Sequence, residues 1–495
     1  MKTRRRFLQS LALAPALGAG CVHPSERPSP RRRLAANTPR HIVHLVADGM
    51  SAGTVSCADH FSQQLRGRRL TWFDLTRRPE VQVGFMDMRS QNSLVTDSSA
   101  ASSAWGCGVR IPNAKVNQSS AGTPLVTLYE LLSESGWKRG LVTTTEITHA
   151  TPAGFAACVP HRDKADEIAV QYLNRKVEVL LGGGQKFFGA GTRTDKRDLK
   201  GDYARSGYAV LECPEDLAQA PRDQPWLGIF ASSHFPYLVD QQGGLTETPP
   251  VPSLPVMARR ALEKFRNSER FILQVEGGRV DHACHANDAA GAVREMLAFD
   301  EALDVCLAFQ REVPGTLLVI TTDHGTGNPG LNGMGKEYRD SAKLFRNLAA
   351  IRQSTGELAK RLLLCESREQ MAARLKETAG CEITSARLEM LDPFLRKKGS
   401  ALYEVFNSDV AALAQVLANH TGVSFTGTAH TSDIVPILAL GPGAGAFRGL
   451  IECTQVFERY LDFAGLQFRN PQEPLAAVTD ATTDTAENVA EYLHG

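Results

Sequence analysis

With 495 residues, 42% of them hydrophobic and 22% charged, the chain has an ordinary globular composition and ample length for a large core. The 55 basic and 54 acidic residues cancel to a net charge of +1. No basic stripe interleaves with aromatics, which argues against a nucleic-acid partner.

The first element is an address. Thr3-Arg4-Arg5-Arg6-Phe7-Leu8 sets paired arginines before an apolar run from Leu8 to Leu17. This resembles a twin-arginine export signal, which a receptor reads and which does not anchor; the run is too short to span a bilayer as a helix. Leu17-Gly18-Ala19-Gly20-Cys21 resembles a bacterial lipoprotein cleavage site. A lipid anchor at Cys21 and simple cleavage nearby are the two readings. From Val22 to about Thr38, Pro, Arg and Ser dominate, as in a flexible tether. Residues 1–38 are therefore set apart from a catalytic domain over 39–495, and the expected location is exported: periplasmic or at the cell surface.

His41 to Val46 is a near-continuous apolar run ending at Asp48-Gly49, as expected of a strand buried on both faces of a parallel sheet. A helix is predicted over about 51–65, and a strand over 81–85. The stretch Leu94 to Trp105 runs through Asp97 and Ser98 into small residues and alanines, and predicts a loop delivering Ser98 to the first turn of a helix. The helix N-terminus there favours an anion, although small-residue runs also serve as packing devices. Next come a helix over 124–135, strands over 140–144, 177–181 and 226–230, and a helix over 256–265. Phe271 to Val275 is a strand ending at Glu276-Gly277-Gly278; a long helix over 287–309 follows; Thr316 to Ile320 is a strand ending at Asp323-His324-Gly325. The texture changes over about 336–417, where strands vanish and charged amphipathic stretches predict a helical insertion serving as lid, crown or interface. A last strand covers 434–440. Strands alternating with helices predict an α/β fold with a doubly wound, mostly parallel sheet. Ten cysteines lack any CxxC pair; in an exported protein a disulfide is expected, with Cys365 and Cys381 the first candidates.

Ligands of open parallel sheets bind at the carboxyl ends of strands. Asp48, Glu276, Asp323 and His324 each follow an apolar strand, so the fold gathers them along one edge. Asp281 and His285 share a helix face at i, i+4, and His430 follows the insertion. Imidazoles with carboxylates suit zinc, whereas leftover carboxylates with a hydroxyl suit magnesium. The bland alternative for each histidine alone is a satisfied core or surface residue; the assembly of all of them points to metal.

The order and content of these motifs resemble the alkaline phosphatase family. The matching stretches are Val46 to Met50, Val95 to Ser98, His149-Ala150-Thr151-Pro152, Arg162, Val275 to Gly278, Asp281 to His285, Thr322-Asp323-His324 and Thr428 to Asp433. The resemblance implies a phosphomonoesterase with two zinc ions and one magnesium ion, acting on small phosphomonoesters as a homodimer. By position, Ser98 is the nucleophile and contacts the second zinc. Asp281, His285 and His430 hold the first zinc; Asp48, Asp323 and His324 hold the second; Asp48, Thr151 and Glu276 hold magnesium. Arg162 clamps two phosphate oxygens as a planar fork. Asp97 positions Arg162 or caps the helix. His149 and His282 lie beside the magnesium and phosphate, where family members vary, so the third site could take another divalent ion. A related phosphodiesterase is the alternative reaction, and a phosphate- or metal-binding protein without turnover is the alternative class. The sulfatase Cys/Ser-x-Pro-x-Arg pattern is absent around Ser98.

Overall fold

In the computed structural model, residues 37–245, 247–396 and 398–476 are described. The expected export signal, most of the expected tether and Cys21 lie outside them. Fourteen strands are found among these residues: β1 His41–Val46, β2 Gln82–Asp87, β3 Lys138–Glu146, β4 Val179–Gly183, β5 Ala209–Leu211, β6 Trp226–Ile229, β7 Phe271–Glu276, β8 Thr316–Thr321, β9 Gly325–Thr326, β10 Gly330–Leu331, β11 Val423–Ser424, β12 His430–Thr431, β13 Val435–Leu440 and β14 Gly449–Glu452. Ten of them form one sheet in the order β14-β2-β13-β8-β1-β7-β3-β4-β6-β5. Only β13 runs against its neighbours; every other pairing in the sheet is parallel.

The unbroken apolar runs are explained by two cores. Val43 and Leu45 of β1 pack into one, while Ile42 and Val46 pack into the other. β8 divides in the same way, with Leu318 and Ile320 on one face and Leu317 and Val319 on the opposite face. Each face must therefore be covered, and helices do so. Leu254–Phe265 and Ala289–Glu312 cover one, and Ser98–Cys107 and Gln455–Ala464 the other. The α/β fold with a doubly wound, mostly parallel sheet is as the sequence predicts.

Several local expectations need correction. The helix expected over 124–135 begins only at Leu128, because Thr127 closes a capping box with Glu130 and stops the helix from extending backwards. Strands β5 and β14 and the Gln455–Ala464 helix are additional. Cys365 and Cys381 are not paired; both are free. They stand at opposite ends of the twelve-residue Arg368–Ala379 helix, about 18 Å long at 1.5 Å per residue, far beyond disulfide reach. Between β10 and β11 the described chain contains helices and no strand, including Thr355–Leu363, Arg368–Ala379, Ser385–Leu395 and Asp409–Thr421.

Candidate active site

Parallel strands β1, β7, β8 and β3 all point their carboxyl ends the same way, so Asp48, Glu276, Asp323, His324 and the loop after Glu146 meet at one edge. The turn after β1 requires Gly49: its φ is +70°, and a Cβ there would sit 2.5 Å from Asp281 Oδ1 and 2.7 Å from Asp281 Cα. Close approach of Asp48 to Asp281 thus depends on that glycine.

Ser98 is the first residue of its helix and is buried. The run of small residues after it serves a contact between backbones: a Cβ on Gly106 would lie 1.8 Å from the Gly154 carbonyl oxygen. Ser102 donates from its hydroxyl to the Thr151 carbonyl (2.6 Å). The Ser98–Cys107 helix is thereby locked to the Ala150–Ala156 helix that carries Thr151. Asp97 makes contacts that match both readings of it. Its Oδ1 accepts from the Ala100 N–H (2.8 Å) as a helix cap, and its Oδ2 lies 3.4 Å from Arg162 Nη1. Burial opposes its charge, but Arg162, the Ala100 N–H and the Ser99 hydroxyl hold the carboxyl below the usual range. Ser99 Oγ is committed to Asp97 Oδ2 (2.7 Å), whereas Ser98 Oγ lies 3.1 Å from His324 Nε2. That distinguishes the two adjacent serines.

Three groups of potential ligands converge: Asp281, His324 and His430; Asp48, Asp323 and His324; and Asp48, Glu276 and His149. His285 joins the first group, with Nε2 at 3.3 Å from Asp281 Oδ2 and 3.0 Å from His430 Nε2. His149 is itself a member of the third group, where the sequence placed it only alongside, and Thr151 donates to Asp48 Oδ2 (3.2 Å). Arg162 Nη2 donates to His149 Nε2 (3.1 Å).

The donor set fits cations. His285 Nδ1 faces the Thr428 carbonyl (2.6 Å) and His430 Nδ1 faces the Thr96 carbonyl (3.0 Å). A carbonyl only accepts, so each Nδ1 carries a proton and the two Nε2 atoms face one another 3.0 Å apart. A shared cation, or a proton on His285, relieves that contact. Asp48 Oδ1, Asp323 Oδ2 and both Glu276 oxygens are buried without a hydrogen-bond partner, an arrangement that costs several kcal/mol per ion unless a cation compensates it (order of magnitude). Burial and the carboxylates of Asp323, Asp281 and Glu276 push Asp48 well above the usual range. Burial and Asp281 push Asp323 up to about 6. Burial lowers His324 to about 4 and, with His324 and His285 alongside, His430 to about 3, which keeps both imidazoles neutral and able to ligate. His285 is raised instead: burial disfavours its charge, but Asp281 outweighs that.

The alkaline phosphatase family profile matches residues 39–466. The chain belongs to that family. It is 29% identical over 476 residues to alkaline phosphatase 3 of Bacillus subtilis (strain 168), covering 93% of this chain and 96% of the relative. The crystal structure of Thermus thermophilus alkaline phosphatase superposes with a TM-score of 0.83 at 32% identity, covering 92% of this chain and 96% of that one. The cold-active alkaline phosphatase of Shewanella sp. gives a TM-score of 0.72 at 26% identity, covering 86% and 99%. This member of the family is thus an alkaline phosphatase with candidate metal-binding groups at the carboxyl edge of its sheet.

Sequence reasoning overlooked three residues of this alkaline phosphatase site. Thr326 donates from its hydroxyl to Asp281 Oδ1 (2.5 Å) and lies 3.2 Å from His324 Nδ1, so it orients two candidate ligands at once. Arg279 donates to His282 Nδ1 (2.5 Å) and stacks 3.8 Å above the Tyr237 ring. His234 follows β6 and packs edge-on against His282, with ring centroids 4.5 Å apart. All three share one sequence signal, a place just beyond the carboxyl end of a strand: Arg279 after β7, Thr326 after β8 and His234 after β6.

Proposed function

We propose that this alkaline phosphatase hydrolyses phosphate monoesters to alcohol and inorganic phosphate through a phosphoserine at Ser98. The observation that carries the reading is the position of Ser98 Oγ, 3.1 Å from His324 Nε2 where two ligand groups meet, with Arg162 held by Asp97 on the same side. Asp281, His285 and His430 would hold one zinc ion and Asp48, Asp323 and His324 a second; Asp48, Glu276 and Thr151, with His149 alongside, would hold magnesium or another divalent ion. When bound, such ions supply Lewis acidity, lowering the pKa of the serine and of water and offsetting charge on the leaving oxygen.

The chain's own residues do the rest. Ser98 Oγ gives up its proton and bonds to phosphorus as the bond to the alcohol oxygen breaks, and that oxygen leaves as the alcohol on taking up a proton; water then displaces Ser98 Oγ from phosphorus, giving inorganic phosphate and returning a proton to Oγ. Arg162 binds two non-bridging oxygens bidentately, and Asp97 orients that fork. The free N–H groups at the start of the Ser98–Cys107 helix face the same charge. Arg162 favours monoesters over diesters: a monoester has three non-bridging oxygens, so one still faces the ligand groups when Arg162 holds two, whereas a diester has only two in all. The paired arginines at Arg4–Arg6 support export to the periplasm or cell surface, the 336–417 stretch is read as an insertion in the catalytic domain, and the family supports a homodimer.

Ser98→Ala should lose activity on p-nitrophenyl phosphate by about a thousandfold or more while retaining its metal content. Near-full turnover in a metal-loaded Ser98→Ala variant would sink the assignment.

A further inference from the structure

The cavity of about 990 Å³ between His282 and the helical segment that joins β10 to β11 belongs to the site already described. A second cavity, of about 450 Å³, lies at the other end of the sheet. It opens where the chain enters the strands: Lys138 begins β3, Glu178 precedes β4, and Gln224 and Pro225 precede β6. These strands run parallel, so this amino edge stands roughly 20 Å from the candidate ligand groups, the rise of about six extended residues.

Four cations line the cavity, each from a different part of the chain: Lys138, Lys176, Arg222 and Lys264. Two carboxylates accompany them, Glu178 and Asp223. Glu178 is already compensated. Its Oε2 accepts from the Arg139 N–H (2.9 Å) and lies 3.0 Å from the buried Arg139 guanidinium, while Lys138 Nζ stands 3.5 Å from its Oε1. At the rim, Glu263 lies 3.9 Å from Arg222 but only 2.8 Å from Arg260. The lining therefore holds a surplus of two positive charges before Arg139 is counted.

Lys264 is the most constrained of the four. It projects half-buried from the Leu254–Phe265 helix, with Nζ 4.5 Å from the Trp226 ring centroid, and donates to the carbonyls of Arg222 (3.0 Å) and Gln224. Both acceptors are neutral. Burial, with Lys138 alongside, lowers the ammonium to about 8 against the opposing pull of Asp223 and Glu178. Lys176 stands in the left-handed region at φ 53°, uncommon for a lysine, where Arg139 Nη2 donates to its carbonyl (2.9 Å). Leu173, Pro225 and Phe265 add apolar surface, and Ser206 and Ser268 add hydroxyls.

A cleft with converging cations concentrates anions. Donors that arrive from four directions suit a tetrahedral oxyanion better than a planar carboxylate, and a surplus of two charges suits a dianion. We propose that this amino-edge cavity binds a phosphate dianion, free or carried on a small organic molecule, at a site separate from the carboxyl edge. The site does not depend on the phosphoserine reading.

The test reads Lys264 itself. An amine must be neutral to be acylated, so an anion that covers Lys264 and restores its proton slows that reaction. The metal-loaded protein is treated with the N-hydroxysuccinimide ester of acetic acid at about pH 8, where Lys264 is half neutral, and each lysine is followed by peptide mass spectrometry. Inorganic phosphate should slow acetylation of Lys264 severalfold and saturably, and leave the exposed Lys343 unaffected. Arg222→Gln, at an exposed position, should raise the phosphate concentration needed by about tenfold, the worth of one charge-assisted contact, and leave hydrolysis unchanged. Phenylphosphonate, whose carbon–phosphorus bond resists hydrolysis, distinguishes the sources. Protection at a lower concentration than phosphate assigns the site to organic phosphates; weaker protection assigns it to the free ion. Equal protection by acetate at the same ionic strength would reduce the effect to screening and overturn the site. Protection unchanged in Arg222→Gln would overturn it too, as would protection lost in Arg162→Ala, which would place the responsible phosphate at the carboxyl edge.

Discussion

At the carboxyl edge of the sheet, Asp48, Asp323 and His324 are almost completely shielded, each at 0–1% exposure, and ride directly on the ends of strands. Across the cavity, the helical segment buries Leu358, Leu362, Leu375 and Leu391 against the same core but leaves Leu364, Met390 and Leu402 exposed. One wall is fixed by strand register, buried hydrogen bonds and glycines without room for a side chain. The other is held by ordinary apolar helix packing. Bond-making groups must be placed to within about 0.5 Å, which only the first construction provides. A wall held by apolar helix packing tolerates more variation.

Asp48 gives the sharpest way to break this contrast, because it belongs to two of the ligand groups. Asp48→Asn should deplete metal from both and reduce activity by at least about a hundredfold, beyond the 10- to 100-fold typical of residues that merely support a ligand. Metal analysis after dialysis reads this directly; loss confined to one group of ions would show that the groups are independent. Arg162→Ala comes next. Removing a bidentate, charge-assisted contact should weaken inhibition by inorganic phosphate roughly 10- to 100-fold, with metal content unchanged. Equal inhibition of both proteins would mean that the fork does not bind phosphate. On the helical side, Leu358→Ala should cost about 2–5 kcal/mol of stability in chemical denaturation, since the side chain is fully buried, yet leave the metal content of the folded protein intact. Loss of metal there would show that the two walls are one cooperative unit.

The same contrast explains what could be read without a structure. Asp48, Glu276 and Asp323-His324 were legible because each follows a continuous apolar strand, and a parallel sheet brings such ends together whatever the connections. Asp281 and His285 were legible from a local i, i+4 spacing. Thr326 and Arg279 follow the same strand ends but were passed over, since their importance lies in contacts with Asp281, His324, His282 and Tyr237 that their side-chain types do not announce. The small residues around Ser98 were visible, but their use was not: the fit of Gly106 on Gly154 depends on a helix about fifty residues away in sequence. Cys365 and Cys381 misled for the opposite reason, sequence nearness across a rigid helix that holds them apart.

Glu295 offers the gentlest probe, on the Ala289–Glu312 helix that packs beneath the site. Burial, moderated by the Leu238 N–H and Arg279, pushes its carboxyl from 4.5 up to about 7. A group whose pKa is raised on folding binds protons more tightly in the native state. Its contribution to stability is therefore complete below pH 4.5 and is lost as pH rises through about 7. Glu295→Gln keeps an oxygen to accept from the Leu238 N–H, which now donates to Glu295 Oε1 at 2.8 Å, but cannot ionise. The variant should match wild type near pH 4.5 and gain on it progressively up to about pH 8, by at most about 3 kcal/mol from the size of the shift. Denaturant unfolding at pH 5 and pH 8 supplies the difference. A gap that stays constant between those values would mean that Glu295 does not carry a proton in the native protein at neutral pH. A gap of the opposite sign would mean that its charge is stabilised by Arg279 more strongly than burial opposes it, which would make the helix beneath the site an electrostatic partner of the Arg279–His282 pair above.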